Sequence, residues 1–143
     1  MSHRALPYPA YSFVLYLSAP DNRETPIGGF SDAVGLPQKV TGIQTVSDLT
    51  LKRGVVNSTN LGDWMTAARG HGAAGGRDAV LTQRNAVNVP LMSWRLTNAK
   101  PIWYSGPTLV GESDDTSIEE LVLSVEHIDV APTTGGISRT GTG

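Results

Sequence analysis

The chain contains no cysteine, which excludes disulfide staples and thiolate metal sites alike. Net charge is nearly absent. Eleven Lys and Arg stand against thirteen Asp and Glu, a formal balance of −2, too little for a protein that holds nucleic acid or a membrane surface by charge. No apolar run approaches the roughly 20 residues that span a bilayer. The opening residues, MSHRALPYPAYS, carry one arginine and no continuous apolar stretch. They do not read as a secretory signal. The expectation is a protein kept soluble in the cytoplasm, or exported without a cleaved leader.

What is present fits one ordinary domain. At 143 residues, folding buries about 70% of the surface an unfolded chain exposes, enough for one real core. The charge is unevenly placed. Residues 1–100 hold ten basic and six acidic side chains, whereas 101–129 hold seven acids (Glu112, Asp114, Asp115, Glu119, Glu120, Glu126, Asp129) and no Lys or Arg. Two readings remain open: an acidic solvated surface, or a subunit with one acidic and one basic face suited to head-to-tail stacking.

Hydrophobic alternation predicts strands, because successive side chains in a strand point to opposite faces. Tyr11–Leu17 places Tyr11, Phe13, Leu15 and Leu17 on one side. Short β segments follow at Gly28–Leu36 and Lys39–Thr45, after a turn at Ala19–Pro26. Ser47–Val55 reads as a strand with Leu49, Leu51 and Arg53 on one face and Asp48, Thr50 and Lys52 on the other. Further strands are expected at Asp78–Arg84, Pro90–Thr97, Pro101–Tyr104 and Ser117–Ile128, the last long enough to need a bulge or bend. One helix is expected. Asn57 or Ser58 caps it, Leu61, Trp64, Met65 and Ala68 share its apolar stripe, Asp63 lies in its first turns, and Gly70 stops it. Residues 1–10 read as an arm, 11–130 as the domain and 131–143 as a flexible tail. Many strands, one helix and no regular β-α alternation predict a mainly β fold. The expected architecture is two packed antiparallel sheets, a sandwich or barrel, with one flanking helix.

Chemistry is hard to find. Gly70-His71-Gly72-Ala73-Ala74-Gly75 matches G-x-G-x-x-G, yet a helix precedes it and a strand follows, the reverse of a dinucleotide site. The histidines at 3, 71 and 127 lack metal-ligand spacing, and no G-x-S-x-G elbow occurs. Glu119 and Glu120 are adjacent on a strand and point apart. Asp114 and Asp115 read as a turn. No catalytic, cofactor or metal residues are expected. Trp94, Trp103 and Tyr104 read as core or interface residues, with a ligand-stacking platform as the lesser reading.

LTLKRGV at Leu49–Val55 resembles the tail-tube proteins of contractile phages (T4-like tail tubes) and related injection systems. The likeness continues in order. GGFSDAVGL lies at Gly28–Leu36, Leu61 and Trp64 fall in the helix, and a strand ends near Trp94. Asn98-Ala99-Lys100-Pro101 and Trp103-Tyr104-Ser105-Gly106-Pro107 come next, and IEELVLSVEHIDV closes the series at Ile118–Val130. One departure stands out: only Pro37–Asp48 separates the first two segments, where relatives often carry a longer insertion.

The resemblance implies a non-enzymatic assembly subunit without a cofactor. Copies would form hexameric rings whose sheets join into a β-barrel around a lumen, and rings would stack head-to-tail. Implied partners are further copies of the chain, a sheath protein, baseplate or tube-terminator proteins, and DNA or protein cargo passing without specific binding. The implied location is a virion tail or phage-like injection particle assembled in the bacterial cytoplasm. Candidate inter-subunit or lumen-facing residues are Lys52, Arg53, Arg84, Glu112, Asp114 and Asp115. Readings left beside it are a tube-initiating or capping ring, a type VI-like secretion tube protein, and a monomeric ligand-binding β domain.

Overall fold

A computed structural model describes residues 8–18, 24–36, 48–71, 76–106 and 115–132. The elements in chain order are β1 (Phe13–Ser18), β2 (Glu24–Val34), β3 (Asp48–Asn57), α1 (Ser58–His71), β4 (Arg77–Arg84), β5 (Pro90–Ser105), β6 (Asp115–Ser124) and β7 (His127–Pro132). Every strand pairing is antiparallel, in the order β4-β1-β2-β3-β6-β5-β7. An added β4–β5 pairing returns the sheet on itself, so six strands close a barrel and β7 lies outside the ring.

The barrel interior is where the alternating apolar residues meet. Leu15, Leu17, Ile27, Phe30, Leu49, Leu51, Leu81, Trp94, Leu96, Leu121 and Leu123 are buried together, and Leu61 and Trp64 join them from the helix. Burying each such side chain stabilises the fold by about 1.5–3 kcal/mol. The Phe13 and Trp94 rings lie 6.3 Å apart in a tilted pair across the sheet.

The helix forms as its stripe predicts, with Leu61, Trp64 and Ala68 buried and Met65 packed against the core. Asn57 is the cap: its Oδ1 accepts from the Asn60 backbone N–H at 2.9 Å. The Asn60 side chain in turn donates to the Pro26 carbonyl at 2.9 Å, tying the first helical turn to β2. Two details differ from expectation. The first turn holds no acidic residue, so Asp63 lies beyond it, and the helix runs through Gly70 to His71.

Other boundaries moved for physical reasons. Glu24–Pro26, expected in a turn, pair with β1 as the start of β2. The segments around Trp94 and Trp103 are one strand, β5, which turns at Asn98 (φ 55°). Ser117–Ile128 divides into β6 and β7. The break at Val125 and Glu126 keeps register, with Lys100 opposite Ser124 and Thr97 opposite His127, and the Glu126 N–H donates to Thr97 at 3.0 Å. The segment Lys39–Thr45 and the last four residues of the glycine-rich motif lie outside the described residues.

Arg53 corrects the reading of β3. Simple alternation puts it beside Leu49 and Leu51, in the core; instead it is exposed, with φ 52°. Burial then resumes at Gly54 and Val56. The neighbours change face at the same level, from Phe30 to Ala33 on β2 and from Ile118 to Leu121 on β6. Three strands shifting together preserve register, and a charged side chain stays in water. Gly54 fits here because a Cβ would run into the Gly29 carbonyl oxygen.

Candidate assembly surfaces

A closed barrel hides most strand edges, so those left open define where another chain can pair. Three remain among the described residues. β1 pairs with β2 only as far as Phe30, leaving Ser31–Val34 with β3 alone. β4 pairs with β5 only as far as Ala99, leaving Lys100–Ser105 with β6 alone. β7 pairs only with the first half of β5.

The first two edges bound one four-stranded wall, β2-β3-β6-β5. Cross-strand rows run over its outer face. Val34, Thr50, Val122 and Trp103 make one row, and Asp32, Lys52, Glu120 and Ser105 the next. The first row ends at each open edge in an exposed apolar residue, Val34 at 54% and Trp103 at 51%. Ile102, 52% exposed, sits at a bulge between Pro101 and Trp103. It borders a groove of about 490 Å³ that Met65 and Ala68 of the helix also line.

The charged row is matched within the chain. Lys52 Nζ lies 3.8 Å from the Glu120 carboxylate, and Arg53 pairs with Asp32. All four side chains are more than a third exposed, so these pairs add little stability. Their effect is to leave the wall with little uncompensated charge. The β7 edge differs. It carries the His127–Asp129 pair at 3.1 Å, with exposed Glu126 before it, and charges on an edge discourage further pairing.

Arg84 is not on any of these surfaces. It is buried (5% exposed), and its guanidinium donates to the carbonyls of Tyr8 at 2.7 Å and Tyr11 at 3.4 Å. Sequence reading missed this because the partners are backbone atoms 76 and 73 residues away. Tyr8–Tyr11 form a turn laid over the sheet, with Gly29 making room beneath. Asp115 belongs to the same cluster, since its carboxylate accepts a hydrogen bond from the Tyr8 hydroxyl. Burial, then the Asp115 charge and that hydrogen bond, push the Tyr8 hydroxyl up to about 12. Burial also raises Tyr16, against the opposing charge of Arg84. Glu112 and Asp114 lie outside the described residues. Among the described residues no group of three or more His, Asp or Glu is placed to hold a metal ion.

Barrel, capped helix and, among the described residues, two unpaired edges on one wall define a β-barrel domain with strand edges open to another chain. The sequence profile described as "T4-like virus tail tube protein gp19" matches residues 23–129. The chain belongs to that family, as a structural subunit of the tube of a contractile injection machine. No curated protein sequence matches it significantly. Among solved structures, a mutant Hcp1 of E. coli EAEC 042 superposes with a TM-score of 0.55 at 13% identity, covering 88% of this chain and 93% of that one. The sheath/tube terminator of an extracellular contractile injection system (PVC) gives 0.52 at 20%, covering 89% and 98%. The tube-terminating cap of the anti-feeding prophage gives 0.51 at 17%, covering 93% and 96%. At these identities the likeness establishes a shared fold.

Proposed function

We infer that copies of this subunit close into a hexameric ring by joining the Lys100–Ser105 edge of one to the Ser31–Val34 edge of the next. The observation that carries this is the four-stranded wall, open at both sides among the described residues. An even number of antiparallel strands leaves its two edges running in opposite directions. The strand of one copy therefore meets that of the next antiparallel, and a repeated rotation closes without a free edge. The outer face of the wall then lines a lumen, bringing Lys52, Arg53, Asp32 and Glu120 to its surface as matched pairs. A lumen without strong net charge lets DNA or protein cargo pass without being held.

Rings stack into a tube within a sheath, closed by baseplate and terminator proteins, in a particle assembled in the bacterial cytoplasm. The proteins with this fold named above include a sheath/tube terminator and a tube cap, which supports such partners. The role is structural, without catalysis. Negative-stain imaging of the purified protein tests the reading. Stacked rings are expected, single rings would assign a capping role, and a folded monomer at every concentration would overturn it.

A further inference from the structure

Resting on the ring reading, we propose that Trp103 of one copy and Val34 of the next form an apolar clasp across each subunit joint. Both residues are large and about half exposed, and among the described residues neither has a strand paired beyond its edge. They terminate the same cross-strand row, on the same face of the wall, at its two opposite open edges. Within one chain three strand spacings separate them, roughly 14 Å, so they can meet only between copies.

The incoming strand has limited freedom. β1 occupies the edge of β2 up to Phe30, so only the residues beyond it can lie against Lys100–Ser105. Keeping core and outer faces aligned restricts offsets to steps of two residues. A tilted barrel requires some stagger between strands. An indole reaches a partner directly opposite or two places along the facing strand, so Trp103 meets Val34 at zero offset or one step either way. The contact withdraws from water two apolar residues that a solitary subunit leaves exposed. Ile102 and the groove beside Met65 and Ala68 back the joined strand on its other face.

The test is a double-mutant cycle on ring formation, read by sedimentation, with Val34→Ala, Trp103→Ala and the double variant. Both positions are exposed, and circular dichroism confirms that each variant folds. Each single change is expected to raise the concentration for ring formation by about tenfold. The double variant is expected to cost little more than the worse single one, because coupled residues are not additive. Trp103→Phe should restore most of the loss. A second readout is intrinsic. Of the three tryptophans, Trp64 and Trp94 are buried and Trp103 is exposed, so ring formation should shift emission to the blue, and Trp103→Ala should abolish the shift. Rings that form with additive losses, or without an emission shift, would sink the clasp and leave the ring standing. A wild-type protein that never forms rings would sink both.

Discussion

The two halves of β5 share one strand and have opposite fates. Met92–Leu96 is paired on both sides, by β4 and β7, and buries Trp94 and Leu96. Among the described residues Lys100–Ser105 is paired on one side only, and it exposes Ile102 and Trp103. Between them Asn98 adopts a left-handed conformation, its N–H bonded to the Asp78 carboxylate at 3.1 Å. The difference teaches that aromatic content alone does not tell core from surface; what matters is the face, since Trp94 enters the barrel interior whereas Trp103 lies on the outer face of the wall, at an edge.

Trp94→Ala should break the sealed half, costing about 3–5 kcal/mol in chemical denaturation and taking both halves with it. A variant that lost assembly but kept full stability would contradict the division. Arg84→Met should cost about 1–3 kcal/mol, since two carbonyls of the Tyr8–Tyr11 turn lose their buried donor; thermal unfolding measures it. Asn98→Val at the junction should cost on the order of 1–2 kcal/mol, because a β-branched residue resists positive φ. Asn98→Gly should be milder. Ile102→Lys should leave folding within about 0.5 kcal/mol of wild type while abolishing rings. Ala131→Lys on the β7 edge should leave both intact, and rings lost in that variant would show that β7 is the joining edge.

A further effect concerns pH. Below pH 10 the contribution of Tyr8 is fully present. Between 10 and about 12 the unfolded chain gives up the phenol proton while the folded chain retains it, so stability falls as pH rises. Tyr8→Phe should flatten that part of the stability profile, measured by denaturant titration at stepped pH.

Much of the fold was legible from residue pattern. The alternation of Leu49 and Leu51, the stripe of Leu61, Trp64 and Ala68, and the Asn57 cap are short-range features, and each appears where expected. The surfaces were less legible. Lys52 and Arg53 could be named as candidates, but not their pairing with Glu120 and Asp32, which depends on strand register. Arg84 looked like one more surface cation. Trp94 and Trp103 were indistinguishable as strand aromatics.

The sequence by itself determined most of the strands, the capped helix and the residues that seek a core, because periodicity and capping act over a few residues. Tertiary structure alone decided the barrel closure through β4 and β5, the common face change at Arg53, the burial of Arg84 and the two open edges of the wall. Each depends on which distant strands lie side by side, and backbone hydrogen bonding, being alike at every residue, leaves no local mark of its partner.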